Sequence, residues 1–446
     1  MARILNKHLM ALAAAMALTC GQAYAGEAVT MNLEEAMAKA FANNPAITMA
    51  NYDLDAAQAD LNAARSSRYL SISGQHSSGR SGYDEARLIV IDTLPVMTKS
   101  IGNAHSNTLT ASLPLYTGGK LKGAVISAKA GFKSAEAGLQ ATYNKMRSTV
   151  TNGYFGVLEA DDMQQLARES VARLTDHLKN VKAQYDVGVV AKADVLRSEV
   201  ELANAQQKLI QAEHAYQLAE AQLNRIVGLP LDTSLKLEDS LAYVAYDKTL
   251  EDCLAYAAAN RPELEQARQG VQAAKGSLKM ALSGHMPQIA ARASQSWSDK
   301  NWPGDENGNW AVGVNVSMNI FDSGVTLSKI HGAEAKMDKA KESLRDTTDA
   351  VMLDVRSNYL GMQEAEKRIN TTKTAVALAE EDYRIAQVRY QAGVGTNTDV
   401  LDAQVALTQA QTNYLQAMYS YNTSKTNLLT AIGEPMTVPV QVKAAQ

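Results

Sequence analysis

Cysteine, proline and an excess of either charge are scarce in this 446-residue chain. Two cysteines exclude a fold held together by several disulfides. Lys and Arg number 43 against 47 Asp and Glu, and this near balance excludes a basic protein that binds nucleic acid. The nine prolines leave long intervals in which helices can run without interruption. Beyond the N-terminus no stretch has about 18 consecutive apolar residues, so the sequence predicts no transmembrane helix.

The first 25 residues have the pattern of a secretory signal peptide. Arg3 and Lys7 supply the positive start, an apolar run follows from Leu9 to Leu18, and Ala23–Ala25 is a small-residue cleavage site. The apolar run is too short to span a bilayer. We therefore expect residues 1–25 to be removed and the mature chain to be exported across the inner membrane.

The two cysteines have different expected fates. Cys20 allows a second interpretation, a lipidated N-terminus, but Leu18 and Thr19 before it fit a lipoprotein signal poorly. Cleavage after Ala25 would leave Cys253 as the one cysteine, and no intrachain disulfide could then form. We expect Cys253 to be a small buried apolar residue rather than a reactive thiol.

Two halves of the sequence match when the chain is shifted by 205 residues. The shift pairs Tyr116–Gly119 with Phe321–Gly324 and continues without a gap to Pro230. Further matches are Tyr154–Gly156 with Tyr359–Gly361, Tyr185–Gly188 with Tyr390–Gly393, Asp194–Leu196 with Asp399–Leu401, and Gly228–Pro230 with Gly433–Pro435. A second register of 217 residues pairs Leu33–Ala36 with Leu250–Cys253, so the first half carries 12 extra residues in a loop. We interpret the pattern as a tandem duplication.

Each half is expected to contain a short helix, a β-hairpin and a long helical hairpin. The repeats would cover 26–230 and 231–446, with β-hairpins at about 69–117 and 287–321, helical hairpins at 120–228 and 325–433, and a C-terminal tail. The conformation of the loop at about 81–103 stays open, because the extra residues of the first half fall in that interval.

The long helices are predicted from composition and from breakers. The intervals Pro114–Pro230 and Pro303–Pro435 have no internal proline and are rich in strong helix formers. Gly188 and Gly393 each break the pattern six residues before an Asp, a good helix start. An arm over about 120–186 would be roughly 100 Å long. Because a compact core cannot cover a stripe of that length, the arm must lie against neighbouring helices throughout.

The shorter helices complement the long arm in length. The return arm, at about 194–226, is half as long as the arm at 120–186. A helix over about 33–66, stacked end to end with the return arm, would match the long arm.

Between the helices the hydrophobic period changes from 3.6 to 2, which predicts strands. Residues 310–320 alternate apolar and polar side chains over a length suited to spanning a membrane, and residues 109–115 repeat the pattern. Weaker strands are expected at about 69–79 and 287–297. A soluble sheet with one wet face would show the same alternation. Four strands cannot close a barrel, so a membrane sheet must be shared by several chains.

Trp297, Trp302 and Trp310 are the three tryptophans of the chain and fall within 14 residues of one another. Amphipathic rings are favoured at a membrane–water interface, which makes them candidate interface residues in contact with outer-membrane lipid. An ordinary loop core is the alternative.

These features together resemble the TolC family of outer-membrane efflux proteins, from about Met31 to Pro435. The resemblance rests on the two Tyr-x-x-Gly-x5-Asp-Val-Leu segments, the Leu-Tyr-Thr-Gly-Gly and Ile-Phe-Asp-Ser-Gly junctions, the Leu-Glu-Glu-Ala start and the Gly-x-Pro ends. It implies a mainly α fold with a transmembrane β-barrel part. Three chains would share a 12-stranded barrel in the outer membrane and a tunnel of 12 helices in the periplasm.

The resemblance also implies a function and partners. The chain would be the exit duct of a tripartite efflux or type I secretion system, exporting small molecules or proteins. Its partners would be a periplasmic adaptor and an inner-membrane transporter of the RND, ABC or MFS type. No enzyme activity, cofactor or metal is implied.

Asp399 and Asp402 are three residues apart, and so they lie on one helix face just after Gly393. Three chains would place six carboxylates around a narrow entrance, attract cations and raise some carboxylate pKa values by crowding. A helix N-cap is the alternative for Asp399, a role that Asp194 in the first half could share. The counterpart of Asp402 in the first half is Arg197, so shared helix chemistry does not explain it.

The resemblance assigns further roles at the same end of the molecule. It implies a selectivity ring of Asp399 and Asp402, and a bond from Tyr390 to Asp194 that holds the inner and outer hairpins closed. The family's arginine of a second closing link is replaced here by Gly395. Residues near the two tips resemble those that receive the adaptor, although a role in turning the chain is the alternative: Tyr185, Gly188, Ala191, Val195, Leu196, Gly393, Gly395, Val400 and Leu401.

Other classes of protein have less support in the sequence. The seven histidines lack metal-ligand spacing, and Thr117–Lys120 lacks the spacing of a phosphate-binding loop. No nucleophile motif of a hydrolase is present. The remaining alternative is a structural or adhesive outer-membrane protein with long helices and no conduit.

Overall fold

The computed structural model describes residues 29–82, 87–91, 94–98, 101–239 and 241–434. The predicted signal peptide at 1–25, with Cys20, and the tail from Pro435 lie outside these residues. The loop at 81–103 falls partly in four of these ranges and partly in the gaps between them.

Within the described ranges the fold consists of eight α-helices and eight strands. The helices are α1 (Leu33–Asn43), α2 (Pro45–Ser66), α3 (Lys120–Asp186), α4 (Lys192–Val227), α5 (Leu250–Asn260), α6 (Pro262–Leu282), α7 (Val325–Gln391) and α8 (Asn397–Ile432). The strands are β1 (Val29–Met31), β2 (Ser71–Gly82), β3 (Arg87–Ile91), β4 (Leu94–Thr98), β5 (Ile101–Tyr116), β6 (Leu235–Leu237), β7 (Gln288–Asp299) and β8 (Asn309–Ser317). No helix in these ranges is both long and apolar enough to cross a membrane.

The long helices α3 and α7 each contain 67 residues, and each is followed by a 36-residue return helix. At ~1.5 Å per residue the long helices extend about 100 Å and the return helices about half as far. Gly188 and Gly393 lie in the turns between them, with φ angles of 79° and 73°. These left-handed conformations suit glycine, which has no Cβ to clash.

The helix expected over 33–66 is two helices, α1 and α2, and the single-helix prediction is wrong. The break falls at Asn44, because the residue before Pro45 is disfavoured in the α conformation. The Asn44 side chain accepts a hydrogen bond from the Ala46 N–H and so begins α2. The second half has the same break before Pro262, between α5 and α6.

Each half has a buried core where its first short helix packs against the middle of the long helix and the C-terminal part of the return helix. Members of the first core include Met31, Ala36, Ala40, Val150, Tyr154 and Leu223, and members of the second include Cys253, Ala257, Val355, Met362, Tyr421 and Leu428. The Tyr154 hydroxyl donates to Asp239 at 2.8 Å, and the Tyr421 hydroxyl donates to the Val244 carbonyl at 2.7 Å. Cys253 is fully buried, as the sequence predicts.

The strands β2, β5, β7 and β8 form one antiparallel sheet in that order. Its register places apolar side chains in rows on one face, such as Ile72, Ala111, Ala293 and Val312. Within the described residues β2 and β8 each pair on one side only, so the sheet has two open edges. Strand β8 ends at Ser317, and the predicted extension to residue 320 is wrong.

The open interval 81–103 contains a separate hairpin of β3 and β4. The register pairs Leu88 with Met97, Ile89 with Val96, Val90 with Pro95 and Ile91 with Leu94. The two strands are runs of consecutive apolar residues, 88–91 and 94–97, without a period of 2, so hydrophobic alternation could not predict them.

Helices α3 and α6 approach each other closely at Gly123 and Gly276. A Cβ atom on Gly123 would lie 2.6 Å from the Gly276 carbonyl oxygen, and a Cβ on Gly276 would lie 2.7 Å from the Gly123 carbonyl oxygen. Real side chains essentially never approach backbone this closely, so the crossing requires glycine at both positions.

We predict that Gly123→Ala destabilises the protein by about 1–3 kcal/mol, because the added methyl group forces the two helices apart. Gly131→Ala is the matched control on the same helix, since a Cβ there meets nothing within 4 Å. The control should be neutral or slightly stabilising. Urea unfolding of the two variants measures the difference, and equal stability would contradict the close-packing requirement.

Candidate functional site

The ends of the two helical hairpins pack together in a tip core. Four helices contribute to it: α3 with Leu178 and Val181, α4 with Val195, α7 with Tyr383, Ala386 and Tyr390, and α8 with Val400, Ala403 and Leu407. Leu174, Ala205 and Leu401 form a second, smaller cluster beside it. The tips are therefore joined by packed side chains and do not end as two free hairpins.

The residues expected to meet an adaptor divide into two groups. Val195, Val400 and Leu401 are buried in the clusters just described, so in this conformation they hold the hairpins together and offer no surface to a partner. Tyr185 and Leu196 are exposed. The turn residues Gly188, Ala191 and Gly393 are also exposed, and Gly395 is half-buried.

Sequence reasoning missed three exposed apolar residues in the turns. Val187 and Val189 flank Gly188, and Val394 follows Gly393. The sequence alone could not separate them from Val190, which lies in the same turn and packs against the tip core. We refer to these three valines, with the exposed Tyr185 and Leu196, as the apolar tip surface.

Gly395 lies in a tight position where a larger residue would alter the turn. Its N–H and that of Val394 both donate to the Arg389 carbonyl at 3.0 Å. A Cβ on Gly395 would lie 3.0 Å from the Tyr390 backbone nitrogen, a contact closer than most. Glycine therefore allows the chain to fold back on the end of α7.

The two return helices begin differently, although they occupy equivalent places in the repeat. Helix α8 has a capping box: the Thr396 hydroxyl accepts from the Asp399 N–H, and Asp399 accepts from the Thr396 N–H at 2.9 Å. Thr396 is thus the N-cap, and Asp399 stands three residues later. At the start of α4 the equivalent residues are Ala191 and Asp194, and no side-chain cap forms.

Asp399 and Asp402 are both exposed near the start of α8. The hydrogen bonds with Thr396 hold the pKa of Asp399 below its usual range. The rise expected from crowding is therefore not seen in the single chain, where the carboxylates of three chains do not meet.

The expected bond between Tyr390 and Asp194 is not formed. The Tyr390 hydroxyl oxygen is buried and has no hydrogen-bond partner within the described parts of the chain. Burial first, and the nearby charge of Asp194 second, raise the pKa of Tyr390. Asp194 therefore acts on Tyr390 through space and not through a direct link.

A different set of polar groups joins the hairpins, and sequence reasoning missed it. The side chain of Asn397 contacts His177 of α3, Ser198 of α4 and the backbone carbonyl of Asp194. Close by, an Arg197 guanidinium N–H donates to the Thr398 hydroxyl. The repeat contained a usable signal, because the counterparts of the three side chains are Lys192, Asp382 and Ala403, all of different chemistry.

A groove of about 550 Å³ runs between α3 and α7 beside the tip core. Its walls are mainly polar and include Arg173, Asp176, Gln184, Gln387 and Gln391. The groove is open to solvent along the side of the molecule.

The tryptophans lie at the end of the sheet remote from the long helices. Trp302 and Trp310 are each 73% exposed, whereas Trp297 is half-buried beside Gly308. Two of the three rings are therefore exposed, as contact with a membrane–water interface requires.

Comparison with known proteins identifies relatives across almost the whole described chain. The model of the outer membrane efflux protein family matches residues 36–229 and 254–434. The outer membrane protein TolC of Escherichia coli is 26% identical over 90% of this chain and 82% of its own length. The alkaline protease secretion protein AprF of Pseudomonas aeruginosa is 25% identical over 62% of this chain and 58% of its own length.

A solved structure has the same fold. The outer membrane protein VceC of Vibrio cholerae superposes with a TM-score of 0.77 at 20% identity, over 90% of this chain and 96% of VceC.

The unequal caps generate a matched pair of predictions. Thr396→Ala should weaken the first turn of α8 by about 1 kcal/mol, because the capping box is lost. Ala191→Thr should strengthen the first turn of α4 by a similar amount, since Ala191 already has the extended backbone of an N-cap and Asp194 is in place. Native-state amide hydrogen exchange of the two turns measures both effects, and unchanged exchange in either variant would contradict the assignment.

The effect of Thr396→Ala should also depend on pH. Because the pKa of Asp399 is lowered in the fold, its contribution is complete above the ordinary carboxyl range and is lost as the pH falls through the lowered pKa. The difference in exchange between the variant and the parent protein should therefore shrink in acid.

Proposed function

The chain belongs to the outer membrane efflux protein family, and from that membership we propose that it is the exit duct of a three-part export assembly. It is an outer-membrane protein and a channel component, not an enzyme. The observation that carries the proposal is the direct joining of helices about 100 Å long to a sheet with an apolar face. Such a chain can extend from the outer membrane far into the periplasm.

The proposed assembly is a trimer, and the open edges of the sheet support it. An unpaired strand edge is not tolerated in lipid, so β2 of one protomer must pair with β8 of the next. Three protomers with four strands each make a 12-stranded barrel, within the range of known bacterial barrels. The six long and six return helices would line one tunnel.

The proposed duct has two structural repeats in each chain. Residues 26–230 and 231–446 would be two structural repeats that each supply one β-hairpin and one helical hairpin. The two short helices of each half and its return helix would together cover the length of the long helix. Trp297, Trp302 and Trp310 would mark the membrane interface at the outer end of the barrel.

The tips are the proposed entrance. Asp399 and Asp402 would form a ring of carboxylates there, and Asp402 carries no capping duty that competes with this role. The apolar tip surface and the adjacent polar groove would receive a periplasmic adaptor. Gly188, Ala191, Gly393 and Gly395 would let a partner helix approach the backbone closely.

The proposed cargo is small molecules or proteins. The family description supports efflux, and the name of AprF places one relative in protein secretion. An inner-membrane transporter of the RND, ABC or MFS type would choose the substrate. A structural or adhesive protein is the second candidate, and it differs from a duct in conducting no ions.

We predict that the protein purified from the outer-membrane fraction in mild detergent is a three-chain particle that conducts ions in a planar bilayer. Intact-mass measurement and single-channel recording test the two parts separately. A monomer would remove the shared barrel, and a trimer without conductance would favour the structural alternative.

We predict that Asp402→Ala weakens block by spermidine, a trivalent cation, applied from the tip side by about tenfold. The variant removes three carboxylates from a narrow ring, where charges interact strongly. Asp402 is preferred to Asp399 for this test because Asp399 also takes part in the capping box of α8. Asp346→Ala is the control: it removes the same charge on α7, roughly 60 Å from the tips. Equal block in all three proteins would exclude Asp402 from the pore.

A further inference from the structure

Asn397 is the centre of a buried polar cluster between the two hairpins. It is the first residue of α8, and its side chain meets one residue on α3 and two on α4. The exposed fractions of Asn397, Ser198 and His177 are 4%, 1% and 6%. Water is therefore excluded from all three side chains.

Every polar atom of the Asn397 side chain is used in this cluster. Its Nδ2 donates to the Asp194 carbonyl at 3.1 Å, while its Oδ1 accepts from Ser198 Oγ at 3.2 Å and from His177 Nε2 at 2.7 Å. Because Oδ1 can only accept, Nε2 of His177 must carry its hydrogen. Burial lowers the pKa of His177 and so favours the neutral ring, whose Nε2–H makes this hydrogen bond.

Packing around the cluster fixes it in position. The ring of His177 lies against the ring of Tyr390, with centroids 5.4 Å apart. Val181 and Val400 belong to the same tip core. Moving the second hairpin away from the first would break all three hydrogen bonds of Asn397 together, because its partners are all on the first hairpin.

We propose that Asn397 is the residue that holds the entrance closed in this protein, by locking the tip of α8 to α3 and α4. The inference rests on the proposed duct, since an entrance must exist for a lock to matter. It assigns the closing contact to a neutral side-chain amide and a backbone carbonyl. Tyr390, whose hydroxyl has no hydrogen-bond partner among the described residues, contributes packing only.

A neutral lock differs from an ionic one in its response to salt. Exposed charges are screened within about 8 Å at physiological ionic strength and within about 3 Å at 1 M salt. Hydrogen bonds between buried neutral groups are not weakened in this way. Closure by Asn397 should therefore persist at salt concentrations that suppress effects of the Asp402 ring.

The test is single-channel recording of purified trimers of the full chain. We expect Asn397→Ala to raise the ratio of open to closed entrances about 10- to 100-fold, because three hydrogen bonds are lost and each contributes severalfold. The increase should be the same at low and high salt. Ser198→Ala removes one bond, should raise the ratio about threefold, and remains informative if Asn397→Ala fails to assemble.

Two controls separate the lock from general destabilisation. Asn422→Ala removes another amide of α8, one that donates to the Met418 carbonyl of its own helix. Tyr390→Phe removes the unbonded hydroxyl and retains the ring. Both should leave the open-to-closed ratio at the level of the parent protein, and all variants should keep the trimer mass.

The outcomes distinguish the lock from the duct. A conducting parent protein with an unchanged ratio in Asn397→Ala and Ser198→Ala would overturn the lock and leave the duct intact. A rise in Tyr390→Phe as large as that in Asn397→Ala would also overturn it, in favour of a link through the hydroxyl. A non-conducting trimer in every variant would instead reject the duct itself.

Discussion

The structure depends on covering the apolar side of a 67-residue amphipathic helix along its whole length. Its apolar side is about 100 Å long, and no compact core can cover it. Neighbouring helices must therefore lie alongside it from end to end. One return helix of 36 residues covers only half of that length, and the short helices α1 and α2, or α5 and α6, are needed for the rest. The breaks at Pro45 and Pro262 divide those short helices without ending the coverage.

The sheet imposes a second constraint at the other end of the molecule. Its apolar face belongs in lipid, but its edges at β2 and β8 do not. Pairing the edges of successive chains satisfies every strand and arranges the long helices around a common axis. The close crossing of Gly123 and Gly276 stands near this junction, where glycine lets α6 approach α3. Barrel closure and helix alignment are thus two consequences of one assembly.

Local features of the fold could be predicted from the sequence because local chemistry decides them. Gly188 and Gly393 mark turns that need left-handed backbone, and the alternation at residues 310–316 marks a strand with one apolar face. The β3–β4 hairpin could not be predicted, since its apolar run has no strand period. The end of β8 depends on strand pairing, and the break at Asn44 depends on the proline that follows it. A hydrophobic pattern shows neither.

The candidate site was predicted less completely, because its contacts join residues far apart in sequence. A resemblance could carry over Tyr390 and Asp194, but it could not show that the hydroxyl of Tyr390 would remain unpaired. Asn397 and His177 are separated by 220 positions, and a bond between them is visible only once the hairpins are packed. Departures from the internal repeat were the better guide. In the repeat, the position equivalent to Asp402 is Arg197, and the position equivalent to Asn397 is Lys192.

Those departures have a common physical meaning. In the proposed duct, only one of the two hairpin tips of each chain would occupy the inner position at the entrance. The tip with Thr396, Asn397 and Asp402 combines a firm helix start, a buried neutral anchor and a charge left free for solvent. The other tip supplies the anchor's partners, Ser198 and the Asp194 carbonyl. In the proposed lock, the differences between the two tips would therefore make the second hairpin the part that is held and the first hairpin the part that holds it.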